Sequence, residues 1–336
     1  MTNQETQNPL VSIITPCYNA EQTIGRLIES VMDQTYRPIE HIIVNDGSTD
    51  QSGKVIDSYI DRAADCGIKL IQYRQENKGL GGAIDTGLKL FSGQYLCWPD
   101  ADDYLEKESV EKRVCFLEGH PDYGVVTSNA YVRESTDLQH YRLLTSADVK
   151  RNQEPYQFRL LINGDSIFCP GCHMARTSAF LDVNPDRSIY PARRGQNWQI
   201  LLPLYYKYKR GYIDTPLYNY VVYSNSMSHG DDTEQKKLIR YEEHEKILRN
   251  TLSMIEKNQH VDLHEFYCLI SDKYAKLRME IAIQYNDKAL FNRLYLDKQN
   301  TVGFDRKDNL LYWRNKSRML NKAIDKIRQC KKRMRK

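Results

Sequence analysis

Apolar residues between positions 10 and 130 follow two alternating periods. Short continuous apolar runs, typical of buried strands, are each followed by a longer segment with apolar residues at helical spacing. Strands and helices alternate in this way in parallel sheets covered by helices on both faces, so the pattern predicts an α/β fold. The predicted strands are LVSIIT, IEHIIVN, IKLIQY and QYLCW, and the predicted helices are AEQTIGRLIESVMDQ, DQSGKVIDSYIDRAAD and LGGAIDTGLKLF.

The remaining chain divides into two parts of different character. Residues 131–230 are irregular and rich in Tyr, Pro and Gly, whereas the pattern is helical from about Thr233 to the end. We therefore predict one domain over residues 1–230 and a helical extension over residues 231–336. The sequence contains no stretch of about 18 uncharged apolar residues, so we predict no membrane-spanning helix. The polar N-terminus lacks the pattern of a signal peptide, so we expect a cytoplasmic protein.

The positive charge of the chain is concentrated in its tail. The net charge is +4, but residues 310–336 contain eleven Lys and Arg and one acid, Asp325. Apolar residues line one side of a predicted helix there, which is typical of a helix lying on an anionic membrane. We expect peripheral contact with the inner face of the plasma membrane; a solvated helix end is the structural alternative. Nucleic acid is not the expected partner, because no recognition motif accompanies the charge.

A single CxxC motif, Cys169 to Cys172, has no second pair of Cys or His residues at zinc-site spacing. We predict a turn with two unreactive thiols. The next residue, His173, is a candidate base, an acceptor contact or a buried hydrogen-bonded histidine.

Polar segments follow each predicted strand. In open α/β sheets, ligands bind beyond the carboxyl ends of the strands, so these segments predict a binding site along one rim. The segment after the second strand also has a local interpretation, in which Ser48 or Asp50 caps the next helix. The four segments are TPCYN at 15–19, NDGSTD at 45–50, RQENKG at 74–79 and PDADD at 99–103.

The last segment places Asp100, Asp102 and Asp103 within four positions. Carboxylates this close repel one another, and a divalent cation offsets that repulsion. Carboxylate oxygens are the ligands that Mg²⁺ and Mn²⁺ prefer. We therefore predict ligand contact for Asp100 and Asp102. For Asp103 we predict an N-cap on a helix beginning near Glu106.

Together, the order P-x-Y-N, N-D-G-S-T-D, N-K-G and D-A-D-D resembles the family 2 glycosyltransferases over roughly residues 10–230. The resemblance implies a GT-A fold with a mostly parallel central sheet. It also implies a nucleotide-sugar donor, Mn²⁺ or Mg²⁺ as cofactor, inversion at the anomeric carbon, and a role in bacterial polysaccharide or cell-surface glycan synthesis. We expect a UDP-sugar as donor and a hydroxyl of a glycan or lipid-linked molecule as acceptor.

The resemblance also implies roles for individual residues. Asp100 is expected near the ribose or uracil, and Asp102 on the metal bound to the diphosphate. His229, in the segment YSNSMSH, is a candidate to complete the metal shell. The residues expected around the nucleoside are Thr15, Pro16, Tyr18, Asp46, Asn77 and Gly79.

One position departs from the family pattern. Relatives carry a Glu-Asp pair before a Trp and use its Asp as the base, whereas this chain has Gln196 and Asn197 before Trp198. An amide has no suitable pKa to accept a proton at neutral pH.

Three interpretations of this departure stay open. An acid of the irregular region supplies the base, from among Asp165, Asp182 and Asp186. Alternatively, Gln196 and Asn197 only orient an acceptor that is already nucleophilic. In the third, the protein is a catalytically weak nucleotide-sugar-binding member of a glycan assembly complex. We favour the first two together, with Asp165, Gln196 and Asn197 as the candidate catalytic residues.

Overall fold

The computed structural model describes residues 8–146, 149–224, 232–301, 303–317, 321–324, 326 and 327. The chain divides into two compact units. The first contains Met1–Ser224 and Asn250–Val261, and the second contains Asn225–Arg249 and Asp262–Lys336.

The first unit is built on one sheet of nine strands. In the order β3-β2-β1-β4-β8-β6-β9-β5, neighbouring strands are hydrogen-bonded, and β7 pairs with β6. The strands are β1 Val11–Cys17, β2 Ile39–Asp46, β3 Ile68–Gln75, β4 Tyr95–Cys97, β5 Tyr104–Leu105, β6 Tyr123–Glu134, β7 Asp137–Leu143, β8 His173–Arg176 and β9 Lys209–Val222.

The direction of pairing changes across this sheet. The strands β3, β2, β1 and β4 are parallel, as the alternating pattern predicts. The strand β8 is antiparallel to β4 and β6, whereas β9 runs parallel to β6. The described sheet is therefore parallel in its N-terminal half and mixed beyond it.

Helices cover the sheet of the first unit. Helix α1 buries Ile24, Leu27, Ile28 and Val31, the apolar stripe expected from its spacing. The single helix expected after β2 is divided into α2 and α3 at Tyr59. The helices of this region are α1 Ile24–Met32, α2 Ser52–Ser58, α3 Ile60–Asp65, α4 Gly79–Leu90, α5 Ser109–Gly119, α6 Phe158–Asn163, α7 Thr177–Val183 and α8 Gln196–Lys207.

The C-terminal part of the chain is helical. Its helices are α9 Glu234–Gln259, α10 His264–Tyr285, α11 Lys288–Thr301 and α12 Arg306–Lys316. In the second unit, Met279, Ala282 and Ile283 of α10 pack with Phe291 and Leu311 in a small apolar core. Among the described residues, no helix is both long enough and apolar enough to cross a membrane.

Candidate functional site

The loops after β1 and β2 are joined by hydrogen bonds. The Asn19 Oδ1 atom accepts a hydrogen bond from the Thr49 backbone N–H at 2.8 Å, and the Asn19 N–H donates to the Ser48 hydroxyl at 3.0 Å. Tyr18, in the loop after β1, has 53% of its surface exposed. The two motifs therefore form one rigid rim that presents an aromatic ring to solvent.

Asp50 extends this network to the next helix. Its carboxylate accepts hydrogen bonds from the Glu21 N–H at 3.1 Å and from the Ser52 N–H, at the start of α2, at 2.9 Å. The capping interpretation is thus partly correct for Asp50. It is wrong for Ser48, whose hydroxyl bonds Asn19 instead.

The turns after β2 and β3 meet at the same rim. Asp46 is buried, and its Oδ1 atom accepts from Gln75 Nε2 at 2.7 Å and from the Lys78 N–H at 2.8 Å. Gly47 has a φ angle of +72°, and a Cβ atom there would lie 2.8 Å from the backbone N of Asn77. The close approach of the two turns therefore requires glycine.

Asn77 and Gly79 belong to the second of these turns. The Asn77 Oδ1 atom accepts from the Gly79 N–H at 3.1 Å, at the start of α4. The structure thus brings together Asp46, Asn77 and Gly79, three residues predicted at the donor site.

Thr15 and Pro16 belong to β1 itself and not to the loop that follows it. The Thr15 hydroxyl is buried and lies 3.0 Å from His41 Nε2. Burial lowers the pKa of His41 to about 3, so this histidine is neutral near pH 7. Because the Thr15 side chain faces the interior, its predicted contact with a nucleoside depends on its backbone atoms.

Asp100, Asp102 and Asp103 form one cluster, with a carboxylate oxygen of each within 4.8 Å of the others. Asp103 is fully buried. Its two oxygens accept hydrogen bonds from the Tyr218 hydroxyl and the Val221 N–H, both at 2.7 Å. The predicted N-cap role is wrong, because α5 begins at Ser109 and Asp103 instead fixes the acidic loop to β9.

The environment of this cluster disfavours negative charge. Burial, reinforced by the charge of Asp102, raises the pKa of Asp100 to about 8. Burial also raises the pKa of Asp102, although Arg26 acts in the opposite direction. The pKa of Asp103 lies well above its usual value, through burial and then its two neighbours. A bound cation would favour the ionised form of these groups.

Arg26 on α1 is a site residue that sequence reasoning missed. Its guanidinium donates hydrogen bonds to the Asp102 carbonyl and, at 3.2 Å, to the Tyr223 hydroxyl, and it lies 5.1 Å from the Tyr104 ring centroid. It supplies positive charge beside Asp102. In the sequence, only its position on the polar side of α1 distinguishes it, and that is shared by many surface residues.

The donor set fits a hard divalent cation. Asp100 and Asp102 are partly exposed, whereas both oxygens of Asp103 are used within the protein. Asp100 and Asp102 therefore offer the oxygen ligands that Mg²⁺ and Mn²⁺ prefer. His229, the other predicted metal ligand besides Asp102, lies outside the described residues.

The amide pair lies at the start of α8. Asn197 is buried, and its Oδ1 atom accepts from the Trp98 indole N–H at 2.9 Å. Its Nδ2 atom donates to the Phe168 carbonyl at 2.7 Å, and the Phe168 ring lies 4.9 Å from Trp198. Gln196 is also buried. The Asn197 amide therefore joins the end of β4 to the loop that carries Asp165.

The acids of the irregular region differ in their surroundings. Asp182 forms an ion pair with Lys207 at 2.7 Å and accepts from the Tyr208 hydroxyl at 2.7 Å. These interactions lower its pKa, which makes it a weaker base. Asp165 and Asp186 are exposed. Asp165 lies three residues before Phe168.

The CxxC segment forms the predicted turn, a 3₁₀ helix over Pro170–Cys172. Burial and a hydrogen bond to Cys172 keep the pKa of Cys169 well above its usual value, so the thiol form is favoured. His173 is buried, lies 2.9 Å from the Thr127 hydroxyl, and stacks on Trp98. Burial lowers its pKa, which fits the buried-histidine alternative.

Comparisons with known proteins identify relatives of this chain. The sequence profile described as "Glycosyl transferase family 2" matches residues 12–183, more than half of the chain. The putative glycosyltransferase EpsE of Bacillus subtilis is 33% identical over 204 residues, which cover 61% of this chain and 69% of that protein. An uncharacterized glycosyltransferase of Rickettsia typhi is 26% identical over 85% of this chain and 88% of its own length.

Solved structures show the same fold. Staphylococcus aureus TarS, residues 1–349 in complex with UDP-GlcNAc, matches with a TM-score of 0.55 and 17% identity over 88% of this chain and 93% of that chain. The match supports a GT-A fold followed by C-terminal helices. With its strand-end motifs, its profile match and its similarity to EpsE, the chain belongs to glycosyl transferase family 2 and is a glycosyltransferase.

Proposed function

We propose that this protein transfers a sugar from a UDP-sugar, bound with Mn²⁺ or Mg²⁺, to a hydroxyl of a glycan or lipid-linked acceptor. The observation that carries the proposal is the acidic loop after β4, where three carboxylates with raised pKa values lie at one end of the sheet. TarS structures of the same fold were solved with UDP-GlcNAc and with UDP, which supports a uridine nucleotide as donor.

In this proposal the rim binds the nucleoside. The exposed Tyr18 ring offers a surface on which a base can stack. Asp46, Asn77 and Gly79 line the neighbouring turns, and Asp100 reaches the ribose or uracil. Thr15 and Pro16 form the floor beneath them.

Asp102 would hold the cation, with Asp100 beside it. A divalent cation bound there supplies electrostatic stabilisation for the charge that develops on the leaving diphosphate. Arg26 contributes positive charge from the side of α1 and fixes the Asp102 backbone.

Asp165 is our proposed general base. Its carboxylate is exposed, and its loop is fixed to α8 through the Phe168 carbonyl. It would take the proton of the acceptor hydroxyl as that oxygen attacks the anomeric carbon and the bond to the diphosphate oxygen breaks. Attack from the opposite face inverts the anomeric centre.

We also propose that the tail binds an anionic membrane. Trp313 is 60% exposed and Ile327 56% exposed, among the Lys and Arg of this segment. Leu311 is buried in the core of the second unit, so a deletion that preserves α12 must begin after it. Removing residues 322–336 takes away Ile327 and eight of the eleven Lys and Arg but keeps Trp313, so it should strongly reduce sedimentation with phosphatidylglycerol vesicles and leave Tm unchanged. If the full-length protein does not sediment with these vesicles, the membrane proposal is contradicted.

Calorimetric titration tests the donor site. UDP and GDP are titrated with Mn²⁺ and again with EDTA, and hydrolysis is then measured on a panel of UDP-sugars. Metal-dependent binding of UDP with slow hydrolysis of one UDP-sugar is expected. Binding without hydrolysis, even with candidate acceptors, would favour a catalytically weak nucleotide-sugar-binding protein. Failure to bind either nucleotide would overturn the proposal.

A further inference from the structure

We infer that Asn197 is a positioning residue that joins the acidic loop to the acceptor-side loop and takes no proton itself. The inference rests on the proposed function and concerns the atoms around one amide. We call the chain of contacts Trp98–Asn197–Phe168 the amide bridge.

The amide bridge uses both ends of the Asn197 side chain. The Oδ1 atom accepts from the Trp98 indole at 2.9 Å, and Nδ2 donates to the Phe168 carbonyl at 2.7 Å. Asn197 is 3% exposed and Trp98 is 1% exposed. Hydrogen bonds buried in this way are costly to break, because each leaves an unsatisfied polar group.

The two partners of Asn197 connect the amide bridge to the proposed active site. Trp98 directly precedes Pro99 and Asp100, so its indole anchors the base of the acidic loop. Phe168 lies three residues after Asp165, in the loop that we propose delivers the base. One side chain therefore sets the spacing between two segments on which catalysis depends.

Aromatic rings contact this connection on both sides. The Trp98 ring stacks on His173 at 5.9 Å between centroids, and His173 is itself bonded to Thr127. On the other side, the Phe168 ring contacts Trp198. The amide bridge thus has packed aromatic rings at both of its ends.

A carboxylate would not fit the same contacts. It could accept from the Trp98 indole, but its second oxygen would face the Phe168 carbonyl oxygen, with no proton between two acceptors. A protonated carboxyl group, in contrast, has the same donor and acceptor pattern as the amide. The pocket is therefore suited to an amide or a neutral acid and disfavours an ionised one.

This difference gives a test, because a positioning role and a proton-transfer role predict opposite pH dependences for the hydrolysis rate of Asn197→Asp. Donor hydrolysis of Asn197→Asp is measured relative to wild type from about pH 5.5 to about pH 9. A positioning role predicts that the relative rate rises as the pH falls, because the protonated carboxyl restores both hydrogen bonds. A base at this position predicts a relative rate that rises with pH, and that result would overturn the inference.

Taking a ratio to wild type cancels the contribution of other ionisable groups that the two proteins share. Those that flank the bridge residues in the sequence or contact Trp98 are Asp100 after β4, His173 on β8, Asp165 and Cys169 in the loop, and Arg194 before α8. Asn197→Ala removes both hydrogen bonds at every pH. Its hydrolysis rate should fall roughly 10-fold to 100-fold, with a pH profile parallel to that of wild type.

A second readout does not depend on turnover. Protein labelled with ¹⁵N at the indole nitrogens gives one signal for each tryptophan, and Trp98→Phe identifies that of Trp98. Asn197→Ala should shift this signal at every pH, and Asn197→Asp should shift it only at high pH. Gln196→Glu places the same charge one residue away and should leave the Trp98 signal at its wild-type position.

The two readouts separate the inference from the proposed function. If wild type hydrolyses no UDP-sugar, the proposed function fails, while the Trp98 signal still decides whether the bridge exists. A Trp98 signal that is unchanged in Asn197→Ala would overturn the bridge, whatever the activity.

Discussion

Each compact unit contains a group of three aspartates, and the two groups differ in what neutralises them. Cluster A consists of Asp100, Asp102 and Asp103 in the first unit, and cluster B of Asp272, Asp305 and Asp308 in the second. In both, carboxylate oxygens lie within 4.8 Å of one another. By geometry alone, each is a candidate cation site.

Cluster B already contains its cations. The Lys298 ammonium is buried and lies 2.8 Å from both Asp272 and Asp308. Lys276 lies 2.7 Å from Asp272 and 2.6 Å from Asp305. Cluster B is thus a network of ion pairs that joins α10, α11 and the start of α12.

The pKa values of Asp100 in cluster A and Asp305 in cluster B move in opposite directions. In cluster A, burial and then Asp102 raise the pKa of Asp100 to about 8. In cluster B, burial acts in the same direction on Asp305, but hydrogen bonds from Lys276 and the α12 backbone outweigh it and lower the pKa to about 2. Proximity of carboxylates therefore does not identify a metal site; the local supply of positive charge distinguishes the two.

The largest effect is expected from Asp102→Asn. Removing one carboxylate from cluster A should abolish Mn²⁺-dependent binding of UDP and reduce turnover by about 10³-fold, because the charge on the leaving diphosphate loses its stabilisation. Calorimetry and donor hydrolysis measure the two effects. The matched variant in cluster B, Asp272→Asn, should lower Tm without changing the affinity for UDP and Mn²⁺. Unchanged Mn²⁺-dependent affinity in Asp102→Asn would remove this residue from the metal site.

The same comparison shows how far the sequence predicts the site. The strands β1 to β4 and the polar segments after them follow from local apolar runs, and the structure gathers Asp46, Asn77 and Asp100 at one end of the sheet. The N-cap prediction for Asp103 is wrong because its partner Tyr218 lies 115 residues away in the sequence. Trp98, one of the two partners of Asn197, is 99 residues away. Local patterns carry no information about contacts of this range.

The direction of strand pairing can also be predicted from the sequence only for part of the sheet. Strands joined by helices in regular alternation are expected to be parallel, and this holds through β4. After residue 130 the periodicity weakens, and the antiparallel entry of β8 has no signal in the sequence. The lysines of cluster B lie on α10 and α11 among many similar surface lysines, so their pairing also required the structure.

A second prediction removes the internal cation of cluster B. Lys298→Met leaves Asp272 and Asp308 without their shared partner, and the free energy of unfolding should fall by about 3–5 kcal/mol. Urea denaturation measures the loss. Lys112→Met breaks an exposed pair with Glu108 and should lower the free energy of unfolding far less, because solvent screens that pair.

Lys298→Met also tests whether a carboxylate cluster binds a metal ion once it loses its neutralising lysine. Millimolar Mn²⁺ should recover part of the stability of Lys298→Met, beyond its effect on wild type, because Asp272 and Asp308 then lack the counter-charge that they share. If Mn²⁺ gives both proteins the same stabilisation, counter-charge is not the feature that separates the clusters.

A third prediction concerns the pH dependence of cluster A without metal. The pKa of Asp100 is higher in the folded than in the unfolded protein, so the folded state binds more protons between about pH 4 and about pH 8. This group therefore makes the free energy of unfolding fall as the pH rises through that window. Because a cation competes with the protons, Mn²⁺ should stabilise more strongly at high pH.

Thermal unfolding with Mn²⁺ and with EDTA measures this effect. The increase in Tm caused by Mn²⁺ should be larger by about 3 °C or more at pH 8 than at pH 6. Asp102→Asn is the control and should show no such difference. An equal increase at both pH values would contradict the assignment of raised pKa values to the metal site.

The smallest effect is expected at the edge of cluster B, where Asp305 caps α12. Its side chain accepts from the Lys307 and Asp308 N–H groups, and Asp308 completes a capping box. Asp305→Ala should lower the free energy of unfolding by about 1 kcal/mol, whereas Asp305→Asn keeps the cap acceptor and should cost a few tenths at most. Chemical denaturation separates the two. A larger loss in Asp305→Asn would mean that the charge facing Lys276 matters more than the cap. Neither variant should alter Mn²⁺-dependent UDP binding, because in cluster B the aspartates stabilise the fold and leave no ligand position for a substrate.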